Sequence, residues 1–510
     1  MLPHSGFMNS NSIEHVDVLI IGAGISGIGA AYYLRTMQPR KTFAILEARE
    51  EIGGTWDLFR YPGIRSDSDL HTFSYEFKAW ENEKAIASAD SIMAYLRETV
   101  AENGIREAIR FRHKVISAAW SSWDARWLVV IERLNPGQDT GERITMSCGW
   151  FFCASGYYRY DEGFTPDFPG RERFGGQIVH PQHWPEDLDY AGKRVVIIGS
   201  GATAVTLVPA MAETAGHVTM LQRSPTYIVP VPSEDRIANT LPKLVGRDRA
   251  YAITRRKNIA KQRFVWRLCQ HYPGAARRLI RHLNAKQLPP GYPVDEHFKP
   301  AYNPWDQRLC AVPDADMFKA IRDGRASVVT DRIDTFTERG IRLRSGRELE
   351  ADIIVTATGL NLLAFGGISL SVDGAPVDVS ERVAFKGFLL SDVPNFAYVF
   401  GYTNSSWTLK VGLICEHFCR LLAQMDARGH TICYPRLPGS MPTEPLLKVA
   451  AGYVKRSADQ FPRQGVEGPW RTCMDYRADR KTLREGPVDD VNLRFTSPSS
   501  VNTPEPALAG

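Results

Sequence analysis

Two stretches of this chain each read as strand, glycine-rich turn, helix and second strand, and this duplication constrains the fold more than any other feature. Residues 16–21, Val-Asp-Val-Leu-Ile-Ile, form a nearly continuous apolar run of the kind buried on both faces of a parallel sheet. The run enters Gly22-x-Gly24-x-x-Gly27, a helix follows to about Leu34, and residues 43–47 supply the next strand. In such a turn the first glycine makes the bend and the second lets backbone approach a pyrophosphate. The third lets the helix pack close to the strand, and the helix N-terminus faces the phosphates. Residues 194–198 enter a second turn, Gly199-Ser200-Gly201-Ala202-Thr203-Ala204, followed by a helix and a strand over 218–223. Ala204 is small enough to keep the close packing.

The two units end differently. An acid about 20 positions beyond the turn binds a ribose hydroxyl and repels a 2′-phosphate. Glu47 holds that place in the first unit, which therefore fits FAD or NAD. Arg223 and Ser224 hold it in the second, and a guanidinium beside a hydroxyl suits the 2′-phosphate of NADPH. A surface arginine after a strand is the plainer alternative.

The expected fold is α/β, with two Rossmann-like dinucleotide-binding domains, for FAD and NADPH, and a helical insertion. A chain of 510 residues is too long for one core. We expect a first FAD-binding part over 1–165 and an NADPH-binding domain over 166–345, with a Lys/Arg-rich helical insertion at about 235–300. A second FAD-binding part over 346–485, opening on the buried strand 352–359, and a flexible tail over 486–510 complete the chain. The charge of the insertion is either a solvated face or a lure for an anionic cofactor. A net charge of +5 does not argue for nucleic acid. The eight cysteines have no metal-ligand rhythm, so no metal is expected and a reducing cytoplasm suits them. The opening fifteen residues lack a signal peptide's apolar run, and no stretch is apolar enough to span a bilayer, which leaves peripheral membrane contact open.

Two further segments carry a resemblance. One is Gly53-Gly54-Thr55-Trp56-Asp-Leu-Phe-Arg-Tyr61-Pro62-Gly63-Ile-Arg65-Ser66-Asp67, the other Phe174-Gly-Gly176-x-x-x-His180-x-x-x-Trp184-Pro185. They resemble, at every fixed position, the two signatures of the class B flavin monooxygenases and, within these, of the type I Baeyer–Villiger monooxygenases. The likeness runs from about residue 15 to 485. The segments 302–310, 352–359 and 401–410 are closest to the ethionamide-activating branch.

The resemblance implies an NADPH- and O2-dependent flavin monooxygenase that oxidises ketones to esters or lactones through a flavin C4a-peroxide, with sulfide S-oxidation beside it. The flavin carries the hard chemistry, but a peroxyanion and then an oxyanion need a permanent cation. By resemblance that cation is Arg308, paired with Asp67; a structural ion pair, and a turn cap at Asp67, are the plain alternatives. For FAD the resemblance and the first turn together nominate Gly22, Gly24, Ser26, Gly27, Glu47, Gly54, Thr55, Trp56, Asp67 and Val115. For NADPH they nominate Arg65, Ser66, Gly199, Ser200, Gly201, Ala202, Thr203, Ala204, Arg223 and Ser224. Trp56 has core packing as its alternative, and the His180–Trp184 segment reads as structural.

This chain departs from the family pattern in two places. Gln307 stands where many relatives place a lysine for the 2′-phosphate, and Thr206 where many have glutamine. The grip on NADPH then rests more on Arg223. The nearest rival is a monooxygenase of sulfur or nitrogen without ketone activity, which needs no arginine. A disulfide reductase needs a cysteine pair at the flavin, and strand alternation puts Cys148 and Cys153 on opposite faces. An inactive flavin-bound module is the reading furthest from an enzyme.

Overall fold

The computed structural model describes residues 13–134, 141–448 and 451–498. The N-terminal twelve residues and residues 499–510 lie outside these, so the signal-peptide expectation and the end of the expected tail fall beyond the described residues.

The apolar run that opens the chain becomes the strand Glu14–Ile21, paired in parallel with Phe43–Leu46 on one side and Glu142–Cys153 on the other. Ile109–Arg110 and Phe396–Tyr398 extend this parallel layer. Glu142–Cys153 also pairs antiparallel with Arg126–Arg133, which pairs with His113–Ser121, so one long strand joins a parallel to an antiparallel region. The helices Ile25–Met37 and Thr408–Arg428 cover one face through Ile28, Ala31, Leu34, Leu413 and Ile414, all nearly or fully buried. Cys148 and Cys153 fall in the same core cluster rather than on opposite faces. Alternation slips by one at Gly149, beyond which Trp150 and Phe152 share one cluster, Phe151 and Cys153 the other.

A second sheet is wholly parallel, ordered Ala326–Thr330, His217–Gln222, Arg194–Ile198, Ile353–Thr356, Gln177–Val179. The strand Ile353–Thr356 therefore belongs to the second unit, with Ile353 opposite Val195, and a boundary at 345 is too early. An Ile-Ile-Val-Thr run buried on both faces suits either parallel sheet, so its sequence does not say which it joins. The expected tail is also corrected: Leu493–Thr496 pairs antiparallel with Ile432–Pro435.

Between the strand Ile228–Val231 and Arg308 the chain forms the helices Arg236–Thr240, Pro242–Val245, Arg247–His271, Pro273–Gln287 and Val294–His297. The two connections between the units run side by side. Tyr158–Gly163 pairs antiparallel with Leu360–Leu362, and the Thr358 hydroxyl donates to the Phe164 carbonyl at 2.6 Å. That ladder fixes one glycine turn relative to the other.

Candidate active site

Both turns open onto one cavity of about 1550 Å³. At the first, Gly22 takes φ +101°, and a Cβ there would lie 2.8 Å from the Ala154 carbonyl oxygen. A Cβ at Gly27 would lie 1.9 Å from the Gly22 oxygen, so helix and strand are already in contact. Gly27 accordingly supports the turn from behind, whereas Gly22, Gly24 and Ser26 line the cavity. The helix Ile25–Met37 starts at Gly24 with no side-chain cap, leaving its first N–H groups for a ligand.

Glu47 is buried at the end of the next strand. Its Oε2 accepts from the Ala23 N–H at 2.7 Å and its Oε1 from the Arg49 N–H at 2.9 Å, so the carboxylate both braces the turn and lines the cavity. Burial pushes its pKa up, against those two hydrogen bonds. A carboxylate offers about four lone-pair positions, so two remain for ribose hydroxyls. Gly54, Thr55, Trp56 and Val115 line the same region. The Thr55 hydroxyl lies 3.3 Å from the Tyr160 hydroxyl, and Trp56 meets Phe73 edge-on with ring centroids 5.7 Å apart. Ser26 Oγ accepts from Trp407 Nε1 at 2.9 Å, a contact that sequence reading does not supply.

At the second turn Gly199 takes φ +141° and presses on the end of Ile353–Thr356, where a Cβ would lie 2.2 Å from the Ala357 oxygen. A Cβ at Gly201 would meet nothing within 4 Å, because that position faces the cavity. The helix Ala202–Met211 again begins without a side-chain cap. Ser200, Ala202, Thr203, Arg223 and Ser224 line the cavity; Ala204 is fully buried behind them and does not. The Ser200 hydroxyl is 2.7 Å from that of Thr226. Arg223 is exposed and forms no ion pair among the described residues. Arg332 and Arg344 line the same cavity, also without an ion pair among the described residues. They are brought there by the Asp331 N–H donating to the Gln222 carbonyl and the Arg344 N–H to that of Arg332. Neither arginine belongs to a motif, so no sequence signal points to them. Gln307 and Thr206 line the cavity as well.

The signature from Gly53 to Asp67 leaves the first unit and packs on the second. Leu58, Phe59 and Tyr61 join the core of the second sheet, and a Cβ at Gly63 would lie 2.7 Å from Ala210 Cβ on the helix Ala202–Met211. Arg65, Ser66 and Asp67 are thereby held between the turns, all lining the cavity. Arg65 Nη1 donates to Asp316 Oδ2 at 2.5 Å, and Ser66 Oγ donates to the Ser68 carbonyl at 2.7 Å. Arg308 arrives from the far side of the helical insertion. A turn with Trp305 at φ +73°, followed by the Cys310 N–H donating to the Tyr227 carbonyl at 2.8 Å, aims it inward. A non-glycine residue at that φ costs about 1–2 kcal/mol, so the surroundings dictate the turn.

Arg308 Nη1 lies 3.9 Å from Asp67 Oδ2, and each side chain keeps 35% exposure. The carboxylate of Asp67 pushes the Arg308 pKa up further, against burial. Around them Tyr157, Tyr158, Tyr453 and Trp407 form an aromatic wall, with the Tyr157 and Trp407 rings 5.3 Å apart. His180 and Trp184 do not line the cavity. His180 Nδ1 accepts from the Gln182 N–H at 3.2 Å, and its ring packs against Gly163, where a Cβ would lie 2.0 Å away. Burial lowers its pKa. Gln182 Nε2 donates to the Arg159 and Tyr160 carbonyls at 2.9 Å each, which ties this segment to the inter-unit ladder.

The family model of an NAD(P)-binding Rossmann-like domain matches residues 20–82. Over 484 residues, 94% of this chain and 98% of the relative, the chain is 53% identical to the FAD-containing monooxygenase EthA of Mycobacterium tuberculosis. It is 48% identical over 485 residues, 95% and 97% of the two chains, to EthA of Mycolicibacterium smegmatis. Among solved structures, an oxidised steroid monooxygenase bound to NADP matches with TM-score 0.73 over 95% of this chain and 100% of that one. At 22% identity that likeness is one of fold.

Proposed function

The chain belongs to the FAD-containing monooxygenases, and from that membership we propose that it is an NADPH- and O2-dependent Baeyer–Villiger enzyme, turning ketones into esters or lactones and oxidising sulfides beside them. The observation that carries this reading is the meeting of Arg308 and Asp67 in the cavity that both glycine turns share.

The residues of the first turn fit FAD: an uncapped helix start, open backbone at Gly24, and Glu47 with acceptor capacity to spare. Those of the second fit NADPH: the open position at Gly201, and Arg223 free to take a 2′-phosphate. FAD, when bound, takes hydride from NADPH and activates O2. Arg308 supplies a charge that persists at any working pH. At 3.9 Å, Asp67 holds the guanidinium by charge without hydrogen-bonding it, leaving N–H donors for a substrate oxygen that gains negative charge. Burial, largest of the effects on each, raises the pKa of Tyr453 and of Tyr158 beside Arg308. A low-dielectric wall strengthens the attraction between Arg308 and a developing oxyanion.

None of the described helices is long and apolar enough to cross a membrane. The test is a panel of linear, cyclic and aromatic ketones and of sulfides, turned over with NADPH under 18O2 and read by mass spectrometry. One 18O atom in an ester or lactone is the expected result. Sulfoxide alone, with every ketone returned unchanged, overturns the ketone assignment.

A further inference from the structure

The helical insertion carries a charge that the site does not use. Residues 236–287 hold fourteen Lys and Arg against one acid, Asp248, a net +13 in a chain whose total is +5. The rest of the chain is therefore net acidic. No residue between Thr226 and Tyr302 lines the cavity, so these cations do not hold a cofactor there.

The long helix Arg247–His271 divides its sides cleanly. One side is buried: Arg255 Nη1 donates to the carbonyls of His71, Thr72 and Ser74 at 3.0–3.2 Å, and Asn258 Nδ2 to Asp69 Oδ2 at 3.0 Å. This side grips the segment that follows Asp67. The other side presents Arg249, Ile253, Arg256, Ala260, Phe264 and Arg267, all exposed and spaced three or four apart on one face. Phe264 is 67% exposed, Leu244 just before the helix 79%, and Tyr272 at its end 65%. Arg249, Arg256 and Lys261 form no ion pair among the described residues. A face made only for solvation needs no exposed Phe, Leu and Tyr. A nucleic-acid face uses cations but leaves aliphatic side chains such as Leu244 and Ile253 without a partner.

We propose that this face docks the protein peripherally on an anionic bilayer. The arginines and lysines meet lipid phosphates, while Phe264, Leu244 and Tyr272 enter the boundary between headgroups and acyl chains. Since the opposite side of the same helix grips residues 69–74, docking sets the segment behind Asp67 one helix diameter from the lipid, about 10 Å.

The test uses the full-length, FAD-loaded protein and sucrose-loaded vesicles, pelleted and assayed for bound protein. Binding to vesicles of phosphatidylcholine with 30% phosphatidylglycerol, little to phosphatidylcholine alone, and weakening as salt rises is the expected pattern (the lipid fraction is about that of an anionic leaflet). The double variant R256E/K261E should lower the partition coefficient at least about tenfold. L244S/F264S should lower it several-fold while keeping the salt dependence. Melting temperature and FAD content of each variant confirm folding, and turnover of a water-soluble substrate should be unchanged, which separates failure of docking from failure of the proposed chemistry. Equal binding to both vesicle types, or undiminished binding by R256E/K261E, overturns the proposal. So does binding to duplex DNA with none to vesicles, which would assign the face to nucleic acid.

Discussion

Arg308 Nη1 and Asp67 Oδ2 lie 3.9 Å apart although three strands of the second sheet, Gln177–Val179, Arg194–Ile198 and His217–Gln222, and the helical insertion stand between them in the chain. Asp67 reaches the pair because the signature before it crosses from the first unit to pack on the second. Arg308 reaches it because the turn through Trp305 reverses the chain just ahead of a strand beside Ile228–Val231. The pair thus reports the relative placement of the two glycine turns, and disturbing either side disturbs both.

The first prediction concerns cofactor discrimination. Arg223→Ala should raise KM for NADPH about 10- to 100-fold, the value of a charge-assisted contact, and leave KM for NADH nearly unchanged. Arg332→Ala and Arg344→Ala, on the same cavity rim, should act in the same direction more weakly. Steady-state kinetics with both nucleotides decide it, and equal effects on the two remove the 2′-phosphate from Arg223.

Two glycines should separate folding from binding. A methyl at Gly27 collides with backbone that cannot yield, so Gly27→Ala should cost about 1–3 kcal/mol or more and shed FAD. A methyl at Gly201 meets nothing, so Gly201→Ala should keep the wild-type melting temperature and FAD content while losing affinity for NADPH. Nucleotide titration by flavin fluorescence, alongside thermal melts, distinguishes them.

A third prediction concerns acid stability. Asp352 accepts from the Arg194 backbone N–H and from its guanidinium, each at 2.8 Å, and these bonds lower its pKa to about 2. A depressed carboxylate contributes stability above its unfolded-state pKa of about 3.9, and that contribution fades as pH falls toward 2. Asp352→Asn should therefore be less stable than wild type at pH 6, with the two converging between pH 4 and 2. A difference that stays constant across that window contradicts the assignment.

The glycine turns were legible in the sequence because their constraints are local: Gly22 needs its φ, and Gly27 needs the absence of a side chain, within a few residues of each other. Glu47 and Arg223 were legible because a βαβ unit fixes how far the second strand's end lies from the turn. The sheet to which Ile353–Thr356 belongs was not, because burial on both faces is the same signal in either sheet. Arg332 and Arg344 escaped notice because their place depends on hydrogen bonds between Asp331 and Gln222 and between two loops. The strand slip in the run Cys-Gly-Trp-Phe-Phe-Cys has one local mark, Gly149, since a glycine inside a strand often signals a bulge, but the apolar residues after it do not say on which face alternation restarts. Pairing of Arg308 with Asp67 came from resemblance alone, and no spacing rule links two residues so far apart.

The most direct test of the proposed chemistry is the product balance of Arg308→Ala, followed per NADPH oxidised in the presence of O2 and a ketone that the wild-type enzyme converts. The variant should bind FAD and oxidise NADPH, yet form ester at least about 100-fold more slowly, with the electrons recovered as hydrogen peroxide. Ester formed at the wild-type ratio to NADPH would contradict the role given to Arg308 and, with it, the reading of this cavity as a ketone-oxygenating site.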